Sequence, residues 1–156
     1  MDKKDFLMFA ALFAAIVLLA LGIRTLAPQE NFHSIDVGVG TFNCSENINF
    51  TLTNSSDGFK EYTNENKTYY VKVIDFKETS FYSGIGYSMA LDYIRNYSSS
   101  SVDGVTVYKT TANIGKYIGE ERHMALIDNN EKNISIIIST PSVDDTVEIA
   151  SSFKFY

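Results

Sequence analysis

Glu121 and His123 are the side chains whose types and spacing could do chemistry. They stand two apart in Glu120-Glu121-Arg122-His123, so on a strand they share one face. An imidazole beside a carboxylate can act as an acid–base pair or as two metal ligands. Spacing fixes no third ligand, and catalytic zinc sites take three from the protein. A polar strand face with local ion pairs is the simpler reading, so no catalytic residue and no metal ligand is assigned. The other histidine, His33, is expected to be solvated in a tether.

Nucleophile signatures are absent. The chain has no G-x-S-x-G elbow and no S-x-x-K with its partner motifs. A hydrolase would have to be assembled from distant residues such as Ser88, His123 and Asp128. Gly84-Ile85-Gly86 lacks the third glycine and the lysine of phosphate loops and reads as a bend before a helix. Asp128-Asn129-Asn130-Glu131 lacks the glycine and terminal glutamate of a calcium loop and reads as a hairpin turn. No cofactor is implied. The single cysteine, Cys44, excludes a zinc ribbon or disulfide scaffold. It is expected to be buried and unreacted, the alternative being a bridge between chains.

N-x-[ST] triplets are the densest signal. They begin at Asn43, Asn49, Asn54, Asn66, Asn96 and Asn133. With 12 Asn and 28 Ser plus Thr among 156 residues, random placement would give about two such triplets. N-glycosylation would add solubilising groups at these positions; a composition rich in turn-forming residues is the competing explanation. The ten tyrosines, with no tryptophan beside them, could include a platform for sugars or peptides, although half-buried strands and helix shoulders favour the same residue.

These groups must be positioned by a chain of two unlike parts. Residues 6–23 are apolar without interruption, 18 in number. As a helix they would reach roughly 27 Å at ~1.5 Å per residue, close to the roughly 30 Å of a hydrocarbon core. Lys3 and Lys4 precede the run and Arg24 follows it, which places the N-terminus in the cytoplasm and the rest outside. A cleaved signal peptide is the alternative, with Ala20-Leu21-Gly22 as the small-residue site. Residues 1–27 are expected to be a transmembrane signal anchor, 28–35 a tether and 36–156 one extracytoplasmic domain. Lys3, Lys4 and Arg24 against Asp2 and Asp5 leave one net positive charge in the anchor, so of the chain's −6 the remainder carries −7. That charge repels nucleic acid.

The domain reads as α+β, one antiparallel sheet with two covering helices behind the N-terminal transmembrane helix. Strand alternation is expected at 36–42, 48–53, 59–62, 68–76, 105–110, 117–128 and 133–140. Asp57-Gly58 and Asp103-Gly104 are turn signals, and Ser98–Ser101 reads as a linker. Ile85, Met89, Tyr93 and Tyr97, at spacing four, predict an amphipathic helix over 85–97. Ser142-x-x-Asp145 after Pro141 opens a last helix, with Val143, Val147, Ala150 and Phe153 on its inner face. Ile136 and Ile138 are expected beneath it.

Gly104-Val-Thr-Val-Tyr-Lys-Thr-Thr-Ala-Asn-Ile-Gly115 and Asp145-Thr-Val-Glu-Ile-Ala-Ser-Ser-Phe-Lys-Phe155, together with the leading apolar run, resemble small membrane-anchored proteins of methanogenic archaea. The closing helix running into Ser-Phe-Lys-Phe is similar to the end of Mog1/PsbP-like domains, which are antiparallel sheets flanked by helices. The resemblance implies an archaeal cell surface and carries over no functional residue. The expected function is a membrane-anchored, non-enzymatic binding domain, with lipid as partner of the N-terminal helix and a surface protein or glycan as partner of the domain. An anchored or secreted hydrolase of envelope material is the alternative.

Overall fold

In the computed structural model the described residues are 31–112 and 118–156. The expected transmembrane helix lies outside them, and none of the described helices is long and apolar enough to cross a membrane.

The centre of the fold is β9, Ile134–Thr140, in a seven-stranded sheet ordered β3-β4-β5-β9-β8-β7-β6. Its members are β3 (Phe50–Ser56), β4 (Phe59–Asn64), β5 (Tyr70–Asp75), β6 (Ser99–Val102), β7 (Val105–Thr111) and β8 (Glu121–Asn129). All neighbours are antiparallel. β9 is the most apolar strand and is buried on both faces, so it takes the central place. The Asp-Gly turns form as expected. Asp57 and Gly58 have φ of 48° and 72°, and Asp103 and Gly104 have 49° and 82°. Positive φ at both central residues suits a two-residue hairpin.

A second sheet, β1-β2-β10, is built from Phe32–Asp36, Gly40–Ser45 and Lys154–Phe155. Two sheets therefore stand where one was expected. Residues 32–35, expected as tether, form most of β1, with His33 opposite Cys44 and Ile35 opposite Phe42. The expected strand 36–42 is broken by a tight turn. The Asp36 carboxylate accepts the Gly38 N–H at 2.7 Å, and Gly38 has φ of 81°.

Each face of the large sheet has its own core. On one face Val71, Val73, Ala125, Ile136 and Ile138 pack with Phe42 and Cys44 of the small sheet and with Val37 of the turn between β1 and β2. Ile149 of α2 (Val143–Ser152) joins them. Ile136 and Ile138 lie in this core beside Ala150 and Phe153 as expected, but Ile149 is the fully buried helix residue of the cluster. The Ser142 hydroxyl accepts from the Asp145 N–H, and Asp144 and Asp145 occupy the positive first turn.

On the opposite face Leu91 and Ile94 of α1 (Phe81–Arg95) cover Ile74, Met124 and Ile137. α1 starts four residues earlier than expected. Ser80 caps it, and the Asp57 carboxylate accepts both the Ser80 N–H at 2.7 Å and its hydroxyl at 2.8 Å. Gly84-Ile85-Gly86 is thus inside the helix. The predicted inner stripe points outward instead: Ile85, Met89 and Tyr93 are 46%, 68% and 63% exposed. The helix is apolar on two sides, and Leu91 with Ile94 supplies the side that meets the sheet. The serine stretch forms edge strand β6, and the strand expected from Tyr117 begins at Glu121.

Candidate functional site

The large sheet brings alternate residues of three strands into one row beneath α1. Tyr70 pairs with Ser139, and Ser139 with Met124. Side chains of one parity face α1, so Tyr70 and Lys72 of β5, Arg122 and Met124 of β8, and Ile137 and Ser139 of β9 converge. Together with Ala90 and Ile94 of α1 they bound a cavity of about 430 Å³.

Arg122 is buried at 6% exposure. Its Nη2 donates to the Ser139 carbonyl at 2.9 Å and to the Ser139 hydroxyl at 3.2 Å. Its guanidinium lies 5.7 Å from the Tyr70 ring centre, within the range of cation–π attraction. The Lys72 ammonium is 5.6 Å from the same ring and 3.3 Å from Glu61. An open groove of about 420 Å³ runs along α1 by Phe81, Ile85 and Met89, without comparable convergence of charge.

Glu121 and His123 do come together, on the sheet's other face. His123 Nε2 is 3.2 Å from Glu121 Oε1, and Lys109 Nζ is 2.6 Å from Glu121 Oε2. The Lys109 ammonium, as hydrogen-bond donor first and as charge second, lowers the Glu121 carboxyl below its ordinary value, and the His123 charge adds to this. They line an open depression of about 330 Å³ with Ser98, Ser99 and Ser100. A serine–histidine–acid relay places the serine on one imidazole nitrogen and the acid on the other. Here the carboxylate sits at Nε2, in contact with an ammonium. Among the described residues, no group of three His, Cys, Asp or Glu is placed to hold a metal ion.

His33, expected in solvent, is instead opposite Cys44, and its ring nitrogens have no hydrogen-bond partner among the described residues. Cys44 is buried and free. Burial first, and the Glu148 charge second, push its thiol up to about 11. An alkylating reagent at pH 8 is therefore expected to leave Cys44 unmodified in the folded chain and to label it fully in denaturant. Because the folded value is raised, the thiol's contribution to stability is complete below the ordinary value of 9.0 and is lost as pH climbs through about 11. Fast labelling of the native chain at pH 8 would contradict this burial.

Asn43, Asn49, Asn54, Asn66, Asn96 and Asn133 are all exposed. Asn133 adopts a left-handed turn, with φ of 56°, a conformation asparagine tolerates better than most residues. The Asn96 amide donates to the Asp92 carbonyl at 3.0 Å at the end of α1. Of the tyrosines, Tyr62 and Tyr69 hold elements together. The Tyr62 hydroxyl donates to the Val37 carbonyl at 2.9 Å, and that of Tyr69 to Asp145 at 2.7 Å.

No family model matches the chain, and no curated protein does. Among solved structures it is similar to the solution structure of cyanobacterial PsbP (CyanoP) from Synechocystis sp. PCC 6803. Identity is 16%, the match covers 84% of this chain and 96% of that one, and the TM-score is 0.39.

Sequence reasoning missed the Arg122 cavity. Arg122 stands between Glu121 and His123, and its parity alone separates it from them. The available signal was an arginine alternating with Met124 and Leu126 on a strand.

Proposed function

We propose that this chain is a single-pass surface protein of an archaeal cell, anchored by residues 6–23 with its N-terminus in the cytoplasm. The domain outside is a non-enzymatic binding module for an envelope component, a glycan or a surface protein. The observation that carries the binding reading is the cavity beneath α1. It combines apolar walls with a few convergent polar groups, the usual composition of a ligand site. The apolar run and the lysines before it support the anchor, and the exposure of all six triplet asparagines supports their glycosylation.

A hydrolase built on His123 is the competing reading, favoured by the serines beside His123 and Glu121. Against it stands the pairing of the Glu121 carboxylate with Lys109 at 2.6 Å, which divides the negative charge that would orient the imidazole through Nε2.

One experiment separates the two. The purified full chain is equilibrated with an extract of its own cell envelope, and retained and altered compounds are identified by mass spectrometry. Binding predicts that compounds are retained unchanged, that Ala90→Trp abolishes retention by filling the cavity, and that His123→Ala leaves it intact. Conversion of an envelope compound that stops with His123→Ala would establish the hydrolase, and retention indifferent to Ala90→Trp would remove the cavity from the reading.

A further inference from the structure

We propose that the outward side of α1 is a contact between two copies of this chain, with the two helices antiparallel about a two-fold axis. This goes beyond the cavity and does not depend on it. Phe81, Tyr82, Ile85, Met89 and Tyr93 are all exposed, on the side of α1 away from Leu91 and Ile94. An aromatic side chain offers ~150–250 Å², so three rings at 76%, 85% and 63% exposure leave roughly 450 Å² uncovered. With Ile85 and Met89 the face passes the roughly 300–600 Å² of the largest apolar patch on an ordinary monomer. It approaches the ~800 Å² per partner of a stable interface. The rings are also held in place. Tyr82 lies edge-on to Phe81 with ring centres 5.6 Å apart, and Tyr93 edge-on to Tyr97 at 5.1 Å. Pairing therefore costs them little further freedom.

Gly86 identifies the occupant as a second copy. It is exposed in the middle of this face, and glycine weakens a helix interior relative to alanine. A Cβ at Gly86 would meet no atom within 4 Å among the described residues, whereas one at Gly84 would meet the Thr79 hydroxyl at 3.1 Å. Packing within the chain thus accounts for Gly84 and not for Gly86. Tyr82, Gly86, Met89 and Tyr93 are separated by steps of four, three and four, a spacing that is the same read in either direction. A second copy turned end over end therefore places its Met89 over Gly86 and its Gly86 over Met89. Its Tyr93 and Tyr82 fall on Tyr82 and Tyr93. That contact is self-complementary, with methionine as the knob and glycine as the hole.

Charge agrees with a protein cover better than with a lipid one. Phe81–Leu91 contains no charged residue, so two acidic chains would meet across a neutral strip. A helix that lies on a bilayer carries lysines and arginines along its polar face. The basic residue of α1 is Arg95, and it is held at 2.8 Å by both Asp92 and Asp128. Asn96 follows the last residue of α1 and, in this register, falls past the first residue of the partner helix. A sugar on it leaves the contact open.

The test is site-specific photocrosslinking. The full chain is made with benzoylphenylalanine in place of Tyr82, which keeps a ring there, and is irradiated with phosphatidylcholine vesicles present. A covalent dimer is expected, with the adduct mapped by mass spectrometry to within one helical turn of Tyr93. The same group in place of Tyr93 should mark the surroundings of Tyr82. Gly86→Gln puts a good helix former into space that is open in the single chain. It should lower the dimer yield at least tenfold and leave the denaturant midpoint unchanged or raised. Adducts on lipid alone would show that α1 lies on the bilayer and would overturn the proposal. So would the absence of a covalent dimer, adducts scattered away from the facing helix, or a dimer yield indifferent to Gly86→Gln.

Discussion

Ile136→Ala is expected to cost the domain roughly 2–5 kcal/mol, the range for truncating a fully buried isoleucine. Ile136 has no exposure and stands on the central strand of the large sheet, opposite Val73 on one side and Ile127 on the other. Its side chain belongs to the core shared by both sheets and α2, so the vacated space borders three packed elements and has little room to collapse. Denaturant unfolding of the variant beside the parent measures the loss. A change under about 0.5 kcal/mol, the size of an ordinary surface substitution, would mean that this core is not packed as described.

The second large effect is expected at Gly40. It begins β2 and faces Phe155 of β10 in register. A Cβ there would collide with the Lys154 backbone carbonyl and press on the Phe153 ring. Neither can retreat cheaply, since the carbonyl is main chain and Phe153 stacks on the buried Phe42 ring at 6.3 Å. Gly40→Ala should cost about 1–3 kcal/mol, the usual penalty for overpacking, and release β10. Hydrogen exchange should quicken at the Tyr156 amide, which donates to the Val39 carbonyl at 3.2 Å. Unchanged stability and unchanged exchange would show that the strands approach less closely.

The parts of the fold legible in the sequence are those specified by local chemistry. The two Asp-Gly turns, the Ser142 cap and the isoleucine run of β9 each carry their own instruction. β1 and β6 carried none. Phe32–Asp36 has its larger side chains three apart, and Ser99–Ser101 offers no apolar alternation, so both depend on pairing with β2 and β7. α1 misled in a different way. Its spacing announced a helix, but apolar residues on two sides left open which side meets the sheet. The stripe of Ile85, Met89 and Tyr93 looked complete, and the sheet is met by Leu91 and Ile94.

The candidate site was illegible for the same reason. Tyr70, Lys72, Arg122 and Ser139 come from three strands, and they meet only because Tyr70 and Met124 both pair with Ser139. A one-residue slip in either pairing would send Arg122 or Tyr70 to the opposite face, and register is a property of the assembled sheet. Glu121 and His123 were found because they lie two apart on a single strand, where no register is needed.

The surface-anchored reading meets its most direct test in membranes prepared from cells producing the full chain. These are washed at alkaline pH, and the N-terminus of the recovered protein is then determined. The anchor predicts that the chain stays with the lipid pellet and retains residues 6–23. Release of a soluble chain beginning near Ile23 or Pro28 would contradict it and establish a cleaved signal in its place.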